Sequence, residues 1–404
     1  MSAEPEVECP YSDRRVDRAG ERVSPPVELI GDVWHIRSHA LAREVLRLND
    51  ATTQSGFNAE YLASQLKGLR LPILYGTGED HRAYRTKVAQ YFTPKAVQTT
   101  HRPVIEEASE EIVAAMLAED VSDFTAQTYR LSVRIAAHVI GLGVHDVDGL
   151  AIRLGRLFAV PAVLPGQRVS RFQQVRTFLI SNSRTVWFWW RDVHPAVRAN
   201  RAQPGHNVIS HLLDSGYREV EIVTECITYG AAGMITTREF LQVALWHLLE
   251  NEQLRADFQA ADTPKRHAIL LEILRLEPVV GHLHRRADRD FTLSADGRTY
   301  QIAKGALLDL YLRVTNVDPE VFGTEPDRLC PARELPTATR PEGLSFGEGQ
   351  HRCPGNFLAI AETEVLLSRL LVEDVTLVSP PSVQWEELVE GYKLTGFTIR
   401  VRPR

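Results

Sequence analysis

The sequence predicts a mainly α-helical fold: one helix-rich domain edged by small peripheral β-sheets. Three observations carry this. Long stretches repeat apolar side chains at helical spacing. Strand-like runs are few and short. No internal repeat, low-complexity linker or Pro/Gly-rich boundary divides the 404 residues, so residues 1–404 read as a single domain.

The helical stretches are His101–Leu117, Phe124–Ile140, Glu219–Leu249, Lys265–Leu276 and Asn356–Leu371. Glu219–Leu249 is apolar around much of its girth, which places it at the centre of the fold. Val33–Ile36 reads as a strand, Phe291–Ile302 as a hairpin turning at Asp296-Gly297, and Tyr392–Val401 as another. Residues 1–25 read as a flexible N-terminal segment. Val186–Trp190 is apolar but short: it reads as the buried face of a helix, with a cavity wall or lid as the alternative.

A net charge of -6 argues against binding to nucleic acid through overall positive charge. The acidic start, MSAEPEVECPYSD, lacks the basic and apolar regions of a signal peptide. No run approaches the roughly 18 apolar residues of a spanning helix. A cytoplasmic protein without a membrane or nucleic-acid partner is expected. Cys9, Cys226, Cys330 and Cys353 show no paired spacing, so a disulfide framework is not expected in a chain of this size.

The chemistry is concentrated in Leu344–Gly355, LSFGEGQHRCPG. Gly347 and Gly349 permit backbone turns that other residues resist. Pro354 and Gly355 follow Cys353, and a helix begins near Asn356, so helix-terminal N–H groups lie close to the sulfur and favour a thiolate. Such a thiolate suits an axial iron ligand. Arg352 stands where a dinucleotide fingerprint needs its third glycine. His351 and Cys353 are too few for zinc, and no base accompanies Cys353 as a nucleophile.

Phe346-x-x-Gly349-x-His351-x-Cys353-x-Gly355 resembles the haem-binding signature of cytochromes P450. The resemblance implies the cytochrome P450 fold, with helices enclosing haem b (iron protoporphyrin IX), and Cys353 as the iron ligand, a ligation that favours O–O cleavage. Phe346, Gly347 and Gly355 then belong to the haem cradle. His81-Arg-Ala-Tyr-Arg85 resembles the family's C-helix motif, whose His and second Arg hold the haem propionates. Spacing of four puts His81 and Arg85 on one helix face. Arg285, rather than its neighbour Arg286, matches a propionate-binding strand residue, and His351 is the remaining partner. Glu272-Ile-Leu-Arg275 resembles the family's ExxR motif, with Arg328 completing a structural triad.

Ala231–Thr237, AAGMITT, resembles the oxygen-activation motif of the distal helix. Ala232 and Gly233 are expected to lie against the haem and Thr236 to serve oxygen activation and proton delivery. The bland alternative for Thr236 is a hydrogen bond within its own helix. The sequence departs from the family at Ile235, where an acid is usual and an isoleucine transfers no proton. Water held by Glu239, a polar group of the substrate, or chemistry that needs fewer protons are the ways open.

The family's activity is monooxygenation of a small-molecule substrate with O2 and electrons from a ferredoxin and its ferredoxin reductase. Arg82, Lys87 and Arg352 offer a basic docking face. A monomer is expected. Radical coupling without oxygen insertion is the alternative reaction, and a non-catalytic haem protein the alternative of another class. The substrate pocket is expected to use Met234, Ile235, Val280, Leu283 and Leu394, with residues 51–75 and 155–195, for a bulky secondary metabolite.

Overall fold

In the computed structural model, which describes residues 11, 14–18, 20–21, 25–57, 59, 66, 68–143, 146–158, 170, 180, 182–295, 297–387 and 389–404, helices make up most of the chain and short strands lie at its edges. The helix Phe124–Ile140 has the bounds its periodicity predicts. Asp123 caps it by accepting from Ala126 N at 3.2 Å, and Gly141 ends it at φ +93°. Thr263–Leu276 begins on the Asp262 cap, with a proline in its first turn. The long central helix is continuous from Glu219 to Glu250 but contains a π-helical stretch, Ala231–Ile235. A large apolar core surrounds it.

The main sheet runs Val27–Ile30, Val33–Ile36, Leu307–Tyr311, His282–Ala287, Thr52–Ser55 in spatial order, with one parallel pairing, Val33–Ile36 to Leu307–Tyr311. Alternation along His282–Ala287 sends Leu283 and Arg285 to one face and His282 and His284 to the other.

Three sequence expectations are corrected. Tyr392–Val401 is not a hairpin: Gly391–Thr395 pairs with Ser382–Glu386, whereas Thr398–Arg402 joins a separate sheet with Ser122–Asp123 and Asp374–Ser379. The described part of the N-terminal segment is packed, not loose. Val16 is 1% exposed and its N–H donates to Glu277 at 3.1 Å, and Glu21 pairs in the interior with Arg313 at 2.5 Å and His282 at 3.2 Å. Cys330 is disulfide-bonded, whereas Cys226 and Cys353 are free. Asp296, of the expected hairpin turn, lies outside the described residues.

The Glu272–Arg275 pair ties the helix Thr263–Leu276 to the chain that follows it. Arg275 grips Glu272 through two bonds of 2.7 Å, a bidentate geometry that only a guanidinium offers. It also donates to the carbonyls of Asn316 at 2.7 Å and Pro326 at 2.8 Å, and Glu272 accepts from Cys330 N at 2.9 Å. Asn316 in turn accepts from Leu344 N at 2.8 Å and donates to Ser345 Oγ at 2.8 Å, the first residues of the cysteine loop.

Arg328 does not complete this network. Its side chain is half in solvent and meets Glu325, and only its backbone carbonyl reaches Arg275. The third cation is Arg333, whose Nε lies 3.5 Å from Glu272 Oε1. Replacing one buried partner strands the other charge at a cost of about 3–5 kcal/mol. Glu272→Ala and Arg275→Ala should therefore each lose about that much in denaturant unfolding. Arg333→Ala should lose part of it, and Arg328→Ala should stay within about 0.5 kcal/mol, as surface changes do.

Candidate active site

The cysteine loop is held by its own backbone. Cys353 N donates to Phe346 O at 2.8 Å and Gly347 N to Leu344 O at 2.7 Å, folding the segment back on itself. Gly349 sits at φ +69°, and a Cβ there would stand 2.2 Å from Leu46 O, so only glycine fits. The helix Asn356–Leu370 starts just beyond, and the Gly355 N–H points at the sulfur. Burial pushes the Cys353 thiol up. The Gly355 N–H and the guanidinium groups of Arg85 and Arg352 pull it toward thiolate.

Cys353 opens on a cavity of about 300 Å³ with mostly apolar walls. One wall is the central helix, through Ala232, Gly233, Thr236, Thr237 and Phe240. Others are the loop Ile73–Tyr75, the strand residues Val280, Leu283 and Arg285, and the cysteine loop with Phe346, Gly347 and Gly355. The π turn at Ala231–Ile235 lies on this wall, and such turns collect at functional sites. Thr236 Oγ1 donates to Ala232 O at 2.6 Å, leaving its lone pairs to accept from the cavity.

Four cationic or donor side chains meet beside the cysteine loop. His81 and Arg85 come from the helix Gly78–Ala89, Arg285 from the main sheet and His351 from the loop. The imidazoles stack with centroids 4.6 Å apart. Among the described residues, both nitrogens of buried His81 and Nε2 of His351 lack an aligned hydrogen-bond partner. Burial, then the Arg85 charge, brings His81 down to about 4. Burial, then Arg285, brings His351 down to about 2. Arg285 is 3% exposed and pulled by burial to about 10, and among the described residues it bonds only Gln54 Oε1 at 2.6 Å and its neighbour's carbonyl. Arg85 donates to Arg352 O. None of these hydrogen bonds ends on a carboxylate. Buried charge of this kind is stable only with an anion. Two carboxylates on one ligand fit here, the donor chemistry a dicarboxylate porphyrin requires.

Among the described residues no group of three or more His, Cys, Asp or Glu side chains is arranged to hold a metal ion. A metal at Cys353 must bring its other ligands with it.

Several expected residues lie elsewhere. Met234, Ile235 and Leu394 are buried in the core, off the cavity. Glu239 is off it too. It is 1% exposed, pairs with Arg238 and accepts from Leu394 N at 2.7 Å. The reason is helical phase. The cavity face runs through Gly233, Thr236–Thr237 and Phe240, and at about 100° per residue Met234, Ile235 and Glu239 point away from it. Val280 and Leu283 do line the cavity. Of the Val186–Trp190 run only Phe188 is fully buried, and Trp187 and Trp190 are exposed, so it is neither a buried face nor a described cavity wall. Residues 159–169, 171–179 and 181 of the expected 155–195 region lie outside the described residues.

The sequence reading missed two buried carboxyls. Glu362 lines the cavity with Leu358 and Ala359, its helix neighbours at spacings of three and four. Its Oε2 has no partner, and burial pushes it well above the usual carboxylate range, so it is held neutral. Glu225, on the central helix, sits behind the Ile73–Tyr75 wall and is pushed by burial up to about 8.

Since Glu225 takes up its proton in the folded state at a higher pH than the ordinary 4.5, its contribution to stability falls as pH rises from about 4.5 to about 8 and stays lost above that. Glu225→Gln should therefore gain in melting temperature over the natural protein at pH 9 relative to the difference at pH 5. An equal difference at both pH values would contradict this.

Comparison with known proteins agrees with this geometry. A family model described as Cytochrome P450 matches residues 202–373. The chain is 26% identical to cytochrome P450 CYP105Q4 of Mycobacterium marinum, over 85% of this chain and 80% of that protein. It is also 26% identical to erythromycin C-12 hydroxylase of Saccharopolyspora erythraea, over 84% and 81% of the two chains. Among solved structures, the cytochrome P450 enzyme CYP109B1 of Bacillus subtilis superposes with a TM-score of 0.75 at 19% identity, covering 93% of this chain and 95% of the other. At that identity the likeness establishes the fold. No helix among the described residues is long and apolar enough to cross a membrane.

Proposed function

Since this chain belongs to the cytochrome P450 family and is a monooxygenase-type oxidoreductase, we propose that it inserts one oxygen atom from O2 into a bulky, largely apolar secondary metabolite. The observation that carries this is Cys353 facing, across an apolar cavity, a helix opened by a π turn at Ala231–Ile235.

Cys353 would hold haem b through its thiolate, and Arg85, Arg285, His81 and His351 would hold the propionates. When bound, the iron supplies oxygen activation, which a thiolate ligand favours by donating electron density. The rest falls to the protein. Val280, Leu283 and Phe240 exclude water and orient an apolar substrate by shape. Thr236 Oγ1 accepts and passes a proton within the cavity. Glu362, on the helix that follows Cys353, lies on the sulfur side of the cavity, opposite the central helix, and takes no part in that transfer. Glu239, the acid of the central helix just beyond Thr236, is bound into the core and serves structure.

The relative named erythromycin C-12 hydroxylase supports a large secondary metabolite as substrate. Electrons are proposed to come from a ferredoxin, itself served by a ferredoxin reductase, docking near Arg82 and Lys87, which are exposed on the helix that carries His81 and Arg85. Arg352 contributes less to that face, because it is paired with Glu342 at 2.9 Å.

Cys353→Ala should abolish the red-shifted absorbance of the reduced carbon monoxide complex. A band that persists in this variant would refute the assigned ligand. With a substrate found by its spin-state shift, the product should gain one oxygen in mass; loss of two hydrogens instead would point to coupling.

Thr236→Ala should divert reductant to peroxide and lower the coupled rate by roughly 10²-fold, the scale of general acid–base catalysis. Glu239→Gln should leave coupling unchanged. The reverse pattern would restore Glu239 to the proton path.

A further inference from the structure

The cavity wall Ile73–Tyr75 is held to the central helix by two carboxyls one helical turn apart. Glu221 Oε1 accepts from Arg70 N at 3.0 Å, and Glu225 Oε1 accepts from Ile73 N at 3.0 Å. Acceptors at spacing four thus grip donors at spacing three, a two-point hold on a loop without regular structure of its own. The two carboxyls differ in charge balance. Glu221 is paired with Arg218 at 3.0 Å. Glu225 is 1% exposed and, among the described residues, makes no ion pair and has no aligned hydrogen-bond partner at Oε2.

Three elements meet at Glu225. Beside the wall loop and the central helix, the hydroxyl of Tyr84 approaches it from the helix Gly78–Ala89 and that of Tyr229 from one turn further along its own helix. Neither buried hydroxyl has an aligned partner. The loop beyond Ile73 then closes on the remaining site. Tyr75 Oη donates to Phe57 O at 2.6 Å, and Gly76 lies so close to His81 that a Cβ would stand 3.0 Å from its ring. A glutamine would make the same bond to Ile73 N without an ionisable group. A carboxyl buried without a cation is a costly choice for filling a core, and local rules tend to be broken where function requires it.

We infer that Glu225 is a positioning residue for substrate: by fixing the Ile73 amide it sets the place of the Ile73–Tyr75 wall and hence the sizes of molecule the cavity accepts. This rests on reading the cavity as the substrate site above a haem. The acceptor oxygen is the operative feature, not the volume of the side chain.

The test uses the haem-loaded protein with Glu225→Gln, which retains an acceptor, and Glu225→Met, which fills similar space without one. Hydrogen exchange at the Ile73–Tyr75 amides should rise about tenfold or more in the Met variant and stay near the natural rate in the Gln variant. Two iron-binding probes then report on the wall. 4-Phenylimidazole, which must fit against it, should bind roughly tenfold more weakly to the Met variant by Soret titration. Imidazole, which is too small to meet it, should bind all three proteins alike. Equal behaviour of Gln and Met variants in exchange and binding would overturn the inference. So would a Met variant that weakens both probes equally, since that is general damage to the pocket. Failure of the natural protein to bind either probe would instead refute the haem reading, leaving the exchange result to judge the latch by itself.

Discussion

Positive charge buried without its own anion is the constraint around which this molecule is organised. Arg85 and Arg285 are drawn from different elements and converge on one cavity edge, and two desolvated imidazoles stack beside them. Burying a guanidinium costs several kcal/mol unless a counter-charge returns it. Among the described residues, no hydrogen bond from these groups reaches a carboxylate; they end on carbonyls and on the Gln54 amide. The fold is therefore electrostatically complete only with a dianionic ligand. Such a ligand stabilises the native state by linkage as well as serving chemistry. The two histidines are depressed first by burial and then by the guanidinium charges nearby.

The cysteine loop depends on a second device at a distance. Its position follows from a chain of buried bonds: Glu272 to Arg275, Arg275 to Asn316 O, and Asn316 to Leu344 and Ser345. None of these side chains lines the cavity except Ser345. The loop's turn is closed by its own backbone bonds, while its place in the domain comes from these outside partners and from Gly349, whose missing Cβ admits the Leu46 carbonyl. Sulfur placement is thus a property of the motif and of the packed domain together.

This explains which features were legible in the sequence. Cys353, His351, Phe346 and the two loop glycines were legible because contiguous residues fix the turn. His81 with Arg85, and Phe124–Ile140 as a helix, were legible because local spacing determines which face a side chain shares. Arg285 was distinguishable from Arg286 by the family register of Ala287 and Asp290, and strand alternation sends the two to opposite faces. Features decided by tertiary contact were not legible. Arg328 has the expected spacing, yet Arg333 is the one that approaches Glu272, because the chain between them turns back. The pairing of Thr398–Arg402 with distant Asp374–Ser379 has no local signature. The N-terminal residues looked solvent-bound by composition, but Glu21 finds Arg313 only in the folded state.

Helical phase also changes the meaning of Ile235. A missing acid at that position suggests a broken proton supply if the residue faces the cavity. Ile235 instead points into the core, and Met234 and Glu239 are likewise buried off the cavity, so none of the three bears on the cavity's proton content. The carboxyl that does line the cavity, Glu362, stands on the helix following Cys353 with Leu358 and Ala359, opposite Thr236, and so does not serve that hydroxyl. The central helix is left to shape the cavity and present Thr236. The central helix can then spend its own buried acid, Glu225, on holding the opposite wall in place.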